Sequence, residues 1–230
     1  GTFPCHGTDY PAQYRLTRTG KDAAKIWAEK EAEALLAACQ KQPVSISERV
    51  SESSRRPPML HSLTSLQKEA NSPFGMSAKR TLGAAQRLYE GFKVLTYPRT
   101  DSSALPQDYR GHVDEVIQSL ANQTTDTDLQ ASFSEGKRAD AIAEAAKTVL
   151  SKGLQNVGRN FDDKKVGDHF AIIPTGKWPS TPLGGDDAKV FELVLRRFLA
   201  AFMESSRWQK VIRATAVQVT DKSGLPSWAK

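Results

Sequence analysis

Apolar positions recur at helical spacing along most of this chain and alternate at strand spacing at both ends, which predicts an α+β protein. Asp22 to about Gln40 is Ala-rich and Glu/Lys-laced, with Ile26, Leu35, Leu36 and Cys39 on one side, the pattern of a helix. Before it, residues 10–20 read as a short strand and turn; after it, Val44 to Val50 alternates as a strand. Thr64-Ser65-Leu66-Gln67 has the form of a capping box and opens a short helix through Ala70, which Asn71-Ser72-Pro73-Phe74-Gly75 breaks. Ser77 then caps a second helix, with Ala78, Leu82, Ala85 and Leu88/Tyr89 at helical spacing and a stop at Gly91.

Farther on, Leu105 to Leu120 is predicted helical, with Val113, Val116, Ile117 and Leu120 on one side. Asn122 to Gly136 is polar and aperiodic, a loop. Lys137 to Lys152 reads as a helix ended by Gly153, and residues 155–185 carry mostly turn formers. Asp186 or Asp187 caps a strong helix through about Met203, and Trp208 to Thr220 alternates as a strand. The polar, Pro-terminated run Ser51 to Pro58 is the best boundary in the first half. Two helices joined by a tight turn and followed by an extended segment have the layout of a winged helix-turn-helix.

Composition narrows the class. With 230 residues, 39% hydrophobic and 25% charged, the chain is long enough for a real core and has the balance of a globular protein. No apolar run is long enough to cross a bilayer, so no membrane partner is expected. Cys5 and Cys39 make neither a disulfide framework nor a zinc site, and a reducing compartment, the cytoplasm with its nucleoid, is expected. The opening Gly1-Thr2-Phe3-Pro4 lacks a Met and any targeting pattern, and reads as the edge of a piece cut from something longer. Net charge is +6, and its placement says more: residues 55–99 hold eight basic side chains (Arg55, Arg56, Lys68, Lys79, Arg80, Arg87, Lys93 and Arg99) against Glu69 and Glu90 alone. Such a concentration beside aromatics is the footprint of a polyanion partner. Arg80 and Arg87, seven apart, share a helix face.

The chemistry concentrates at Tyr97-Pro98-Arg99-Thr100-Asp101-Ser102. Pro98 fixes its own φ and disfavours the α region at Tyr97, so Leu95 to Arg99 is expected to be extended, a wing strand in this layout. In a strand, residues i and i+2 share a face, which would aim the Tyr97 hydroxyl and the Arg99 guanidinium at one object. A phosphodiester fits, since Arg binds phosphate oxygens bidentately and stays charged. Phenol titrates near ~10 and is weakly nucleophilic until a positive field helps it ionise. A second unusual run, Gly167-Asp168-His169-Phe170-Ala171-Ile172-Ile173-Pro174-Thr175, sets a His in a loop beside an apolar strand, where it can donate a hydrogen bond to phosphate.

These runs, with Pro57-Pro58 and Leu63 to Asn71, Phe74 to Leu82 and Ala85 to Glu90, resemble the type IA DNA topoisomerases, most closely the topoisomerase III branch, over about residues 57–175. The resemblance implies that Tyr97 is the nucleophile that becomes 5′-phosphotyrosyl, that Arg99 positions and stabilises the scissile phosphate, and that His169 contacts the DNA backbone near the break. It further implies that Thr100, Asp101 and Ser102 complete the motif by holding its loop. With the basic Lys79, Arg80 and Arg87, these three and His169 are the expected DNA-binding residues. Phe170 departs from the branch, which often has a second His there.

The implied fold is a mainly helical, winged-helix-like (CAP-like) cleavage domain, residues 57–200, plus strands of the family's β-arch from residues 1–56 and 201–230. No D-x-D run with an upstream Glu in a strand–helix context stands for the family's Mg²⁺-binding Toprim domain. The chain is therefore expected to hold no metal or other cofactor, Mg²⁺ belonging to the parent enzyme, and to be inactive in relaxation alone. Single-stranded DNA is the expected partner; a helicase partner of the parent and the oligomeric state stay open. The alternative is a non-catalytic winged-helix DNA-binding module in which Tyr97 is packing. A tyrosine recombinase fits less well, because its tyrosine lies near the C-terminus among dispersed Arg and His partners.

Overall fold

The computed structural model describes residues 2–5, 8–11, 26, 28–40, 42, 44–122 and 136–217. The strand-and-turn expectation over 12–20, the loop over 123–135 and the end of the last strand after 217 lie outside them. The architecture is α+β, and the chain divides into two compact units, Gly1–Ser53 with Trp208–Lys230, and Ser54–Arg207.

In the first unit, strands β1 (Thr2–Cys5) and β2 (Thr8–Pro11) pair antiparallel, Phe3 opposite Tyr10 and Cys5 opposite Thr8. Helix α1 spans Glu29–Cys39, with Ala28 as an extended N-cap and Cys39 a free thiol. The helix expected from Asp22 thus begins later: Ile26 and Ala28 precede it, and Glu29 and Glu31 supply the acidic first turn that suits a helix start. Strand β3 (Val44–Arg55) pairs with β4 (Ser206–Val217). Ser51 donates to the Lys210 carbonyl and Arg213 to Glu48, so the partner number rises as the other falls, an antiparallel register. β3 runs into the polar stretch Ser51 to Pro58 as far as Arg55, and the division between the two units, after Ser53, falls inside that stretch, where a boundary was expected.

The second unit is a helical body. Helix α2 (Leu63–Phe74) is capped by Ser62, whose hydroxyl accepts from the Ser65 N–H while Ser65 Oγ accepts from the Ser62 N–H. The capping box therefore sits two residues earlier than the Thr64 pattern suggests, with Ser65 in the place of the usual Glu or Gln. The helix also runs past Asn71. Pro73 falls in its last turn, and Gly75 at φ 60° closes it, donating to the Asn71 carbonyl at 2.9 Å.

Helix α3 (Ala78–Glu90) is capped by Ser77 as expected, but its buried face is Thr81, Ala84, Ala85 and Leu88. Ala78 is exposed and Leu82 half-buried. Thr81 can be buried because its hydroxyl donates to the Ser77 carbonyl at 3.1 Å. Gly91 ends the helix at φ −81°, so its need is space, not a left-handed turn: an added Cβ would lie 2.9 Å from the Arg87 carbonyl oxygen.

A 3₁₀ turn (Gln107–Tyr109) leads into α4 (Arg110–Asn122), which buries Val113, Val116, Ile117 and Leu120. Helix α5 (Gly136–Lys152) is ended by Gly153 at φ 71° and packs on α4. After the short α6 (Val157–Asn160) and a 3₁₀ turn (Asp163–Lys165), α7 (Gly185–Ala201) runs through the middle of the body, burying Phe191, Leu195 and Phe198. Its cap is Gly184; Asp186 and Asp187 stand in the first turn instead. Phe198 and Phe161 both pack on Phe202, at 5.6 and 5.7 Å between ring centroids. Each such ring taken out of water contributes roughly 1.5–3 kcal/mol.

No regular wing strand forms over Leu95–Arg99. Leu95 makes one antiparallel bridge with Pro174, and a bend follows at Pro98. The ladder cannot extend because Pro98 and Pro174 lack N–H groups and the Ile173 N–H goes to the Thr96 hydroxyl at 2.9 Å. Among the described residues, no helix is long and apolar enough to cross a membrane.

Candidate active site

Tyr97 and His169 are brought together by hydroxyl side chains. Thr96 donates its N–H to the Ile173 carbonyl at 3.0 Å, its hydroxyl donates to the Ala171 carbonyl at 3.0 Å, and Thr175 returns an N–H to Val94 at 3.0 Å. Past the bend, Thr100 Oγ1 donates to the His169 carbonyl at 3.0 Å and accepts from the Ser102 N–H at 3.1 Å. The Thr100 carbonyl accepts from Leu63 N at 2.9 Å, which fixes the loop to the start of α2. Ser102 Oγ donates to the Lys165 carbonyl at 2.8 Å and accepts from Ala104 N at 3.1 Å. Thr100 and Ser102 are buried, at 6% and 9% exposure, so their hydroxyls hold the loop and do not face solvent. Asp101 between them is exposed.

The Tyr97 ring is half-buried between two others. His169 lies 4.1 Å away at 40°, and Tyr89 from α3 meets it edge-on at 5.4 Å and 81°. His169 itself is exposed. The geometry expected from an extended strand, with Tyr97 and Arg99 side by side, is replaced by a bend at Pro98, and the exposed Arg99 reaches back to α3, where its Nη2 donates to Gln86 Oε1 at 3.2 Å. Phe170 points the other way, its ring 4.6 Å from that of Tyr109 and packed on the core. Burial and the nearby Asp108 raise the Tyr109 phenol above its ordinary value.

The remaining basic candidates divide. Lys79 is exposed in the first turn of α3. Arg80 is bidentate on Asp186, at 2.9 and 2.7 Å, and Arg87 grips Asp187 with its shortest bond at 2.5 Å. The arginine side chains stay 56% and 57% exposed while the carboxylates fall to 20% and 15%. The Arg80 fork holds the Asp186 carboxyl below the usual carboxylate range, and the bond to Asp187 raises Arg87. The shared face expected for Arg80 and Arg87 exists, and it docks α3 on the first turn of α7.

Beneath the loop lies a buried polar cluster that sequence reasoning missed. His61 is fully buried; its Nδ1 is 3.0 Å from Ser65 Oγ and its Nε2 has no hydrogen-bond partner among the described residues. Glu69 lies 3.6 Å from that Nε2, beyond hydrogen-bonding reach, and its charge is already met by Arg197, which also donates to the Met59 carbonyl at 3.1 Å. Burial first, then the Arg197 charge, pushes His61 down to about 3. Among the described residues, no group of three or more His, Cys, Asp or Glu is placed to hold a metal ion.

Comparisons with known proteins bear on the family alone. The profile of a family described as DNA topoisomerase matches residues 8–223. DNA topoisomerase 3 of Shouchella clausii is 38% identical over 196 residues, which cover 84% of this chain and 25% of that protein. DNA topoisomerase 3 of Bacillus subtilis is 33% identical over 154 residues, 66% of this chain and 19% of that protein. The structure of full-length topoisomerase I from Thermotoga maritima aligns with a TM-score of 0.47 at 22% identity, covering 84% of this chain and 31% of that one. The chain thus spans about a quarter or less of the length of these topoisomerase 3 relatives, and on the extent of the family match it belongs to the type IA DNA topoisomerases.

Proposed function

We propose that this chain is the tyrosine-bearing part of a longer type IA topoisomerase that cuts and reseals single-stranded DNA. The Tyr97 oxygen attacks the phosphorus of a backbone phosphodiester, the bond from phosphorus to the 3′ oxygen breaks, and the 3′ end leaves as a hydroxyl after gaining a proton. The 5′ end stays on Tyr97 as a phosphotyrosyl ester. Since the ester conserves the phosphodiester, the 3′ hydroxyl can reverse the attack without a nucleotide cofactor.

The observation that carries this reading is the setting of Tyr97. Its ring is half-buried between Tyr89 and the exposed His169, with the exposed Arg99 two residues on. Packed rings fix the phenol, while the imidazole against it and the guanidinium two residues on are exposed and open to a polyanion. In this reading Arg99 meets the charge on the phosphoryl oxygens and His169 donates to the backbone beside the break. Lys79 adds long-range attraction.

In the same reading, residues 1–56 and 201–230 supply strands of the arch, and a Toprim domain outside this chain supplies Mg²⁺ and the proton-transfer partner. Action would be on nucleoid DNA, with a helicase as a candidate partner. The test is covalent trapping. The full-length enzyme should yield a denaturation-resistant adduct with a labelled single-stranded oligonucleotide, and Tyr97→Phe should abolish it while leaving DNA affinity within about twofold. An adduct that persists in Tyr97→Phe would favour a non-catalytic DNA-binding role for this region.

A further inference from the structure

The face of α3 toward the tyrosine loop carries Gln86, Tyr89 and Glu90, which share one side of a helix at spacings of three and four. Each is engaged. Tyr89 meets the Tyr97 ring edge-on, Gln86 Oε1 accepts from Arg99 Nη2 at 3.2 Å, and Gln86 Nε2 donates to Glu90 Oε1 at 3.0 Å. The sense of the Gln86 amide is fixed by its neighbours. Turned over, it would set an NH₂ group against the Arg99 donors and an oxygen against the Glu90 carboxylate, losing both bonds.

Arg99 is on the surface, and a free arginine there would sample many rotamers. Gln86 is its one hydrogen-bond partner among the described residues, and it takes a single N–H. The rest of the planar fork stays available for the two oxygens of a phosphate. The acceptor is also neutral. A carboxylate at position 86 would hold Arg99 more tightly but would cancel the charge that a phosphate needs.

We propose that Gln86, oriented by Glu90, is a positioning residue that presets the Arg99 guanidinium for the scissile phosphate, so that α3 holds both halves of the site, Tyr97 through Tyr89 and Arg99 through Gln86. This rests on the function proposed above. Touching neither DNA nor the reacting bond, Gln86 acts only through Arg99: the preset fork loses less freedom when the transition state forms.

The experiment is single-turnover cleavage of a labelled single-stranded oligonucleotide by the full-length enzyme, with oligonucleotide affinity measured in a Tyr97→Phe background. Gln86→Leu should slow cleavage about tenfold with affinity changed by less than about twofold. Glu90→Leu should show part of that loss, and Glu90→Gln, which still accepts from the Gln86 amide, should restore it. In an Arg99→Ala background Gln86→Leu should cost nothing further. Full-rate cleavage by Gln86→Leu while Arg99→Ala is impaired would overturn the positioning role alone. Additive losses, or equal defects in Glu90→Gln and Glu90→Leu, would overturn it too. Full-rate cleavage by Arg99→Ala would overturn both this role and the assignment of Arg99 to the phosphate.

Discussion

The imidazole of His169 lies against the phenol ring of Tyr97, 4.1 Å between centroids and tilted by 40°. A histidine so placed packs against the Tyr97 ring while itself remaining exposed. The two contributions can be separated. His169→Phe keeps the ring contact and loses the N–H, and should slow strand cleavage about tenfold or more while leaving thermal stability near that of the parent. His169→Ala removes both, and should add a loss of roughly 0.5–1.5 kcal/mol in stability, read by denaturant titration.

Thr96 is the most exposed to loss of the groups that hold the loop together. It is 8% accessible, and its hydroxyl serves both the Ala171 carbonyl and the Ile173 N–H. Thr96→Val keeps the shape and strands two buried groups. The expected cost is about 2–4 kcal/mol in unfolding free energy, with Thr96→Ser recovering much of it.

His61 should make stability depend on acid. Its folded-state value of about 3 lies below the ordinary 6.5, so the unfolded chain takes up the proton first. Its contribution is complete above about pH 6.5 and is lost as pH falls toward 3, with a slope of up to about 1.4 kcal/mol per unit. His61→Phe fills the same buried space without a titrating group. Subtracting its unfolding free energies from those of the parent between pH 7 and pH 4 should expose that slope, and a flat difference would contradict it.

The basic side chains should not contribute equally to DNA binding. Arg80 and Arg87 are tied to Asp186 and Asp187, whereas Lys79 is exposed and makes no ion pair among the described residues. Lys79→Ala should weaken single-stranded oligonucleotide binding and lower the salt slope by about 0.7, the value for one phosphate contact on a single strand. Arg80→Ala and Arg87→Ala should change that slope less. Each should cost up to about 1 kcal/mol of stability instead, less in high salt.

Much of this could be read from residue patterns, and the misses have physical reasons. Periodicity placed α4 and its buried Val113, Val116, Ile117 and Leu120 correctly, because all four are plain aliphatics. On α3 it found Ala85 and Leu88 but missed Thr81, which counts as polar until its hydroxyl is seen bonded within its own helix. Pro73 looked like a breaker, yet a last turn tolerates it. The packing of His169 on Tyr97 was not legible in spacing, because it depends on hydroxyl bonds between distant segments; the family resemblance implied only that His169 contacts the DNA backbone near the break. The bend at Pro98 and the Arg99–Gln86 bond were likewise invisible, as a proline favours extended backbone before it and says less about the residue after it. His61 and Glu69 gave a weak signal at most: a histidine inside an otherwise apolar entry to α2.

Thr100 touches three parts of the chain at once: the start of α2 through its carbonyl, the His169 backbone through its hydroxyl, and its own loop through the Ser102 N–H. The Tyr97 loop and the imidazole of His169 are in this way lashed to a common mast. If the helical body moves as a unit, as the proposed function would require, the pair would ride through it in unchanged alignment, and only its distance to groups elsewhere would vary.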